Sequence, residues 1–300
     1  MRKILKWIGY GLVGLVGLAV LVVGGLYLAM GIRIDRTYAV PKDDIVIKTD
    51  AESVARGKHL VEAMGHCQDC HGDNFAGKAQ LDDPVLGQLY SANLTRGRGG
   101  VGATFGDADW IRVMRHGVAP NGRSVISMPS QAFYFLSDED LGSLIAYLRM
   151  LPPVDNVVPP RNLALARFGL LNGQLSAPAA ELIDHSTRPP APPQGVTADY
   201  GNYIVSISNC RACHGPALSG GPILGAPANT PSAPNLTPRG IVAGWTEADF
   251  IATVRTGIDP RGYHLSSAMP YRFYRNMTDD ELRAVWAYLQ TLFPKEYGEK

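Results

Sequence analysis

The longest uniform stretch of the chain is apolar and lies at its N-terminus. No charged residue occurs from Trp7 to Met30, a run longer than the roughly 20 residues that cross a bilayer as a helix. Basic residues precede the run, and the side with more positive charge tends to stay in the cytoplasm. The pattern predicts an N-terminal segment, residues 1–36, with a cytoplasmic end and a single-pass membrane anchor. It also predicts that membrane lipid surrounds residues 7–30 and that the rest of the chain lies on the periplasmic side of a bacterial-type inner (cell) membrane.

A cleaved signal peptide is the alternative for this segment. Signal peptides have a shorter apolar core, of about 7–15 residues, and a small residue at each key cleavage position. Here the run is longer, and Leu28-Ala29-Met30-Gly31 is a poor cleavage site. A buried core helix of this length would normally show a polar face, which the run lacks. An uncleaved anchor is therefore favoured.

Beyond residue 50, apolar positions recur at helical spacing in short segments, and these segments occur twice. Residues 137–152 and 278–294 each carry apolar side chains at i, i+3, i+4 and i+7, and each starts with Ser or Thr three residues before an acid. These are the marks of a capped helix with one buried face. The matched pairs are residues 93–95 with 235–237, 107–122 with 247–262, and 137–152 with 278–294. One mostly helical domain has been duplicated.

The repeat sets the expected domain organisation, with one domain at residues 48–153 and the other at residues 197–297. A linker at residues 154–196 joins them, and its proline-rich ends predict extended, semi-rigid spacers. Residues 162–171 within the linker could form a short amphipathic helix that packs either on a domain or on the membrane.

Composition narrows the range of functions. The 300 residues include 28 basic and 27 acidic side chains, and the formal net charge is +1. This balance gives no electrostatic basis for binding nucleic acid, which usually needs a concentrated basic face. The 33 glycines and 22 prolines predict short elements joined by many turns.

All four cysteines belong to two Cys-x-x-Cys-His units, one in each repeat. Disulfides within the pairs would close only very small loops, which constrain the unfolded chain little. A zinc site needs two further ligands at suitable spacing, and a thioredoxin-like dithiol needs a βαβ setting. Covalent attachment of haem c uses every residue of the unit, because both cysteines bind haem vinyl groups and the histidine ligates iron. The sequence thus predicts two covalently bound haem c groups, attached through the following residues: Cys67, Cys70 and His71 in the first unit, and Cys210, Cys213 and His214 in the second. The linker between the repeats would set the distance between the two haems.

The repeat also selects a ligand for the opposite face of each iron. The candidates are Met114, His116 and Met128 in the first unit, and His264, Met269 and Met277 in the second. Only Met128 and Met269 are matched in both copies, and each precedes a proline. His/Met ligation raises the reduction potential and closes the iron to other ligands, which favours electron transfer. The remaining histidines, His59, His66, His116, His185 and His264, are then structural or lie at the surface.

Both repeats resemble class I cytochrome c domains. The resemblance rests on an N-terminal helix with a glycine (Gly57, Gly201), the Cys-x-x-Cys-His unit, a Met-Pro loop and a last helix carrying Ala-Tyr-Leu. It implies a mostly α fold, with two tandem class I cytochrome c domains after one N-terminal transmembrane helix. It further implies that the first and last helices of each domain cross at the glycine, beside Tyr147 or Tyr288.

The second repeat is also similar to the multihaem cytochrome c subunits of membrane-bound alcohol, aldehyde and gluconate dehydrogenases. Those subunits usually carry three haem domains, whereas this chain has two. The similarity implies an electron carrier or electron-transfer subunit, not an enzyme in itself, that transfers single electrons between a dehydrogenase or quinol-side donor and a respiratory acceptor. The implied partners are a dehydrogenase and/or a terminal oxidase or other redox protein. Two other interpretations stay open on the sequence. One is a dihaem peroxidase or thiosulfate-oxidising enzyme with one catalytic haem, and the other is a zinc-stabilised binding module.

Overall fold

The N-terminal helix packs on the rest of the molecule near its C-terminal end. The computed structural model describes residues 2–189, 191–227 and 229–300. Helix α1 (Arg2–Asp35) is the one helix in those ranges that is long and apolar enough to cross a membrane. Its apolar side chains are exposed along most of its length, and Ile34 near its end is buried. The predicted anchor is therefore a single continuous helix that extends past the apolar run.

The first repeat is a helical unit with one small hairpin. Its elements are α2 (Ala51–His59), a π-helical turn (Leu60–Met64), α3 (Cys67–His71), β1 (Ala79–Asp83), β2 (Gly87–Tyr90), a 3₁₀ turn (Val101–Ala103), α4 (Asp107–His116), α5 (Ser130–Phe133) and α6 (Asp138–Arg149). Strands β1 and β2 pair antiparallel, and Asp83 accepts hydrogen bonds from two backbone N–H groups in the turn between them. The hairpin was not predicted, whereas the helices lie where the apolar spacing indicated.

The second repeat has the same order of helices. They are α7 (Ala198–Ile207), α8 (Cys210–His214), α9 (Glu247–Thr256), α10 (Tyr271–Tyr274) and α11 (Asp279–Gln290). The predicted capping residues begin the last helix of each unit. Ser137 accepts a hydrogen bond from the N–H of Asp140 at 2.9 Å, and Thr278 accepts one from the N–H of Glu281 at 3.2 Å. The mostly α fold inferred from the sequence is confirmed.

In each unit the first and last helices cross at the expected glycine. A Cβ atom on Gly57 would lie 1.9 Å from the carbonyl oxygen of Ser143, and one on Gly201 would lie 1.9 Å from that of Ala284. Since real Cβ atoms do not approach an oxygen this closely, only glycine allows α2 to meet α6, or α7 to meet α11, at this separation. The predicted tyrosine follows one turn later in each last helix.

The linker does not act as a free spacer. Asn162 pairs with Gln88 of the hairpin, and a 3₁₀ helix, Leu165–Leu171, packs against α1. Further on, His185 contacts His116, and Arg188 pairs with Asp138. The sequence predicts a semi-rigid spacer, whereas most of the linker is packed against the first unit and the end of α1.

The two units instead contact each other directly through buried polar side chains. His59 of α2 lies 2.8 Å from Glu281 of α11, and the hydroxyl of Tyr203 donates to Asp140 at 2.6 Å. His59 and Tyr203 occupy equivalent positions of the repeat, as do Asp140 and Glu281. Arg56 bridges both acids, at 2.8 Å from Asp140 and 3.3 Å from Glu281. The contact is therefore reciprocal, as in an interface with two-fold symmetry.

Charge balance in this interface depends on Glu281. Burial by itself raises the pKa of this carboxyl, but hydrogen bonds from His59 and from the N–H of Thr278, together with the charge of Arg56, hold the pKa below its ordinary value. Glu281 is accordingly ionised at neutral pH, and its charge is compensated inside the contact between the units.

Candidate functional site

Each Cys-x-x-Cys-His unit is one helical turn held between two left-handed residues. His66 (φ 35°) precedes α3 and Gly72 (φ 80°) follows it, while Asn209 (φ 59°) and Gly215 (φ 79°) stand at the same places around α8. Left-handed backbone is uncommon for residues other than glycine. The same unusual conformations in both copies present the cysteines and the histidine of each unit in the same way.

The two motif histidines have the same protonation pattern. Nδ1 of His71 lies 2.7 Å from the carbonyl oxygen of Ala92, and Nδ1 of His214 lies 2.9 Å from that of Pro234. A carbonyl oxygen can only accept, so Nδ1 carries the hydrogen and the lone pair is left on Nε2. Burial lowers the pKa of both imidazoles. Both rings are neutral and suited to bind a metal through Nε2.

The repeated Asn-Leu-Thr segments fix these carbonyl groups. Asn93 Oδ1 accepts from the N–H and the hydroxyl of Thr95, and its amide donates to the carbonyl of Val154 at 2.8 Å. Asn235 makes the corresponding bonds, to the N–H of Thr237 and to the carbonyl of Lys295 at 2.7 Å. The loop that orients each histidine is thereby tied to the chain after the last helix. This role was missed on the sequence, although the repetition of the three residues marked it.

In the second unit the four predicted haem-binding residues surround one cavity. Cys210, Cys213, His214 and Met269 all line it, and its volume is about 270 Å³. Most of its other lining residues are apolar; α7, α9 and α11 each contribute some of them, and the larger number lies in the loops between the helices. The four residues predicted for the second unit thus lie around one space.

In the first unit, Cys67 is buried, and Met128 packs from the loop before α5 onto the apolar core that includes this cysteine. Burial raises the pKa of Cys67 to about 12 and that of Cys210 in the second unit to the same value. The four cysteines form no disulfide. Within the described ranges, no group of three or more His, Cys, Asp or Glu side chains converges as a zinc site requires.

Two residues at the first Cys-x-x-Cys-His unit also line the cavity of the second unit: His66, just before α3, and Asp69, within α3. The His66 ring lies 5.8 Å from that of Tyr274 and 6.1 Å from that of Phe273, and Asp69 forms an ion pair with Arg272. The two sites are therefore neighbours, joined by the direct contact between the units. From the sequence, only a structural or surface role was expected for His66.

The other candidate ligands occupy different surroundings. His116 is held between His185 and Asp43, at 2.9 and 3.1 Å, and Met114 lies in the apolar core. His264 is exposed, next to a backbone bridge to Ile258. Met277 is the exception, because it lines the second cavity together with Met269.

The residues present fit a large apolar cofactor with polar edges. Trp110 of α4 is 1% exposed, and its indole N–H finds no acceptor among the described residues. A buried donor of this kind needs a partner, which a bound group with acceptor atoms would supply. Apolar walls, two thiols and a neutral imidazole match haem c. Fold and site together define a cytochrome c-type haem domain, built twice in one chain.

Comparison with known families agrees with this class. The chain matches the family described as cytochrome c oxidase, cbb3-type, subunit III, over residues 52–148 and again over residues 197–289. Since the two matches cover most of the chain, it belongs to that family. Haem c as the cofactor is confirmed, and each match coincides with one of the repeats.

Several individual proteins are similar to this chain over most of its length. The chain is 29% identical to the gluconate 2-dehydrogenase cytochrome c subunit of Pantoea cypripedii and 25% identical to the fructose dehydrogenase cytochrome subunit of Gluconobacter japonicus. These alignments cover 82% and 85% of this chain but only 61% and 55% of the relatives, so the chain spans little more than half of their length. A diheme cytochrome c-type protein of Cereibacter sphaeroides is 26% identical, over 91% of this chain and 96% of its own length. The similarity is to electron-transfer subunits, which favours electron transfer over the peroxidase alternative.

Proposed function

We propose that this protein is a membrane-anchored dihaem cytochrome c that passes single electrons from one haem to the next. The observation that carries the proposal is the wall of the second cavity, which includes His66 and Asp69 from the first Cys-x-x-Cys-His unit together with Cys210, Cys213 and His214 from the second. Adjacent redox sites in domains that contact each other directly are what an electron relay requires. Family membership and the duplicated domain support the same function.

Each of the proposed ligands has a defined task. The cysteines, Cys67 and Cys70 or Cys210 and Cys213, attach the haem covalently. His71 and His214 bind iron through Nε2, with their orientation fixed by the backbone carbonyls. Met128 and Met269 would supply the second protein ligand to each iron. Bound haem supplies an iron that cycles between Fe(II) and Fe(III), while the apolar walls exclude water from it.

We further propose that α1 anchors the protein in a cell membrane, with its N-terminus in the cytoplasm and both haem domains on the periplasmic side. The support is the apolar run of α1 and the basic residues before it. A dehydrogenase is the proposed donor, in keeping with the names of the relatives, and a terminal oxidase or another redox protein is the proposed acceptor. Isolation of the chain from its native membranes should recover such an enzyme with it.

Haem counting tests the central proposal. The pyridine haemochrome assay and the intact mass of the purified chain should give two covalent haems. Cys67→Ala with Cys70→Ala should leave one haem, as should Cys210→Ala with Cys213→Ala. After rapid reduction of one haem, only the unmodified chain should show electron transfer between two haems. Fewer than two covalent haems in the unmodified chain would refute the proposal.

A further inference from the structure

The short 3₁₀ helix of the linker lies beside the part of α1 that emerges from the proposed membrane span. Arg167 places its guanidinium carbon 4.0 Å from the centre of the Tyr27 ring, and the ring of Phe168 lies 6.0 Å from that of Tyr27. Ile34, further along α1, is buried in a small apolar cluster with Leu163. The linker therefore runs along the last two turns of α1.

The aromatic residues of α1 give the depth of this contact. Trp7 and Tyr10 pack together near the start of the helix, and Tyr27 lies near the end of its charge-free run. The 20 residue steps from Trp7 to Tyr27 span roughly 30 Å at 1.5 Å per step, the thickness of the hydrocarbon core. Since Trp and Tyr favour the two membrane interfaces, Tyr27 marks the outer headgroup level. Arg167 and Phe168 lie at that level too.

Exposed apolar side chains lie near the contact between the 3₁₀ helix and α1. The tip of the β1–β2 hairpin is bonded to the 3₁₀ helix, because the N–H of Ala166 donates to the carbonyl of Leu86 at 3.0 Å. The interfacial patch consists of Val85, Leu86, Leu165 and Leu171, which are 60%, 43%, 45% and 55% exposed. Its residues belong to elements that are bonded to each other and packed on α1, so the patch is continuous with the membrane-spanning surface of the helix.

We propose that the interfacial patch inserts into the outer headgroup region and gives the protein a second contact with lipid. The inference rests on the membrane anchoring proposed above. An α1 helix alone would leave the first domain free to tilt about a single attachment. With the interfacial patch also in the bilayer, the domain has two attachments on one side, and its orientation on the membrane is fixed.

Thiol protection in a lipid nanodisc tests this inference on the full chain. After haem attachment the native cysteines are blocked as thioethers, so an introduced cysteine is the reactive thiol. Leu171→Cys and Val85→Cys should react with a charged, membrane-impermeant maleimide at least tenfold more slowly than Phe293→Cys. Phe293 is an exposed position after α11, outside the patch. Leu15→Cys, in the middle of α1, should be fully protected. Mass spectrometry would follow the modification.

The outcomes separate the inference from the anchoring on which it rests. If Leu15→Cys is protected while the two patch cysteines react as fast as Phe293→Cys, the helix is inserted and the patch proposal is wrong. If Leu15→Cys itself reacts, the anchoring fails and the patch proposal fails with it. Haem counting is independent of both results. The exposure of Leu171 and Val85 within the protein means that protection of their cysteines requires lipid.

Discussion

At the scale of single residues, two methionines face the second cavity and differ in what the repeat implies for them. Met269 has Met128 as its counterpart, whereas Met277 corresponds to Leu136 and is 4% exposed. Both line the same space. The comparison separates a proposed iron ligand from a core side chain that happens to be a methionine, which is the more common role of this residue.

Replacing the proposed ligand should change the potential of one haem. A thioether ligand raises the reduction potential relative to a second imidazole. Met269→His should therefore lower the potential of the second haem by on the order of 0.1–0.3 V, a fraction of the roughly 0.8 V that axial ligands span. It should also remove one methionine-to-iron charge-transfer band and leave the first haem unchanged. Redox titration followed by optical spectra would measure both effects.

Met277→Leu is the matched control, because it restores the residue found at the equivalent position of the first unit. It should leave both potentials and both charge-transfer bands intact. If the charge-transfer band of the second haem were lost in Met277→Leu and kept in Met269→His, Met277 and not Met269 would be the iron ligand.

The groups that orient the two motif histidines could not be predicted from the sequence. The cysteines, histidines and repeated methionines were identified because their side chains carry the chemistry. The acceptors that orient His71 and His214 are backbone carbonyls, on Ala92 and Pro234. Every residue has such a group, so neither alanine nor proline signals the role. Only the Asn-Leu-Thr segment next to the acceptor repeats.

At the scale of elements, each unit depends on the close crossing of its first and last helices. Gly57→Ala should destabilise the first domain, because the added Cβ would overlap the carbonyl of Ser143. The expected loss in free energy of unfolding is roughly 1–3 kcal/mol, which is typical of overpacking. Thermal or denaturant unfolding of the haem-loaded chain would measure the loss.

Gly106→Ser serves as the control for this substitution. Gly106 begins α4, and the nearest atom to a Cβ built there is 3.8 Å away. Serine is also a favourable residue at a helix start, so its effect should be neutral or slightly stabilising. Equal destabilisation by both substitutions would mean that the crossing is not the limiting contact.

Local patterns accounted for the helices but not for the elements that depend on distant partners. Ser137 and Thr278 signalled helix starts because a cap acts within three residues. The hairpin and the linker are held by contacts such as Gln88 with Asn162 and Arg167 with Tyr27. These partners are far apart in sequence, and nothing in either segment alone indicates them. The linker looked like a spacer for that reason.

At the scale of the whole molecule, the contact between the units should depend on pH through Glu281. Its pKa is below the ordinary carboxyl value in the folded protein, so folding favours the ionised form. The resulting stabilisation is complete above the ordinary carboxyl pKa and is lost as the pH falls through the lowered value. The unfolding temperature of the haem-loaded chain should accordingly decrease as the pH falls below about 4.5.

Glu281→Gln removes the titrating group and provides the comparison. The variant should be less stable than the unmodified chain at pH 7, and the difference should shrink as the pH falls. Glu247→Gln, at a half-exposed ion pair with Arg283, should have little effect at any pH. A stability difference for Glu281→Gln that stays constant from pH 7 to pH 3 would contradict the role of its charge.

The reciprocal contact between the units has a consequence for how this chain is assembled. Because each unit uses the same face, the pairing is closed at two, and a further copy of the domain would find that face already covered. Covalent fusion also makes the association intramolecular, so its strength does not fall with dilution as that of two separate chains would. The duplication has thereby fixed the stoichiometry of the two redox centres at one to one, however scarce the protein is in its membrane.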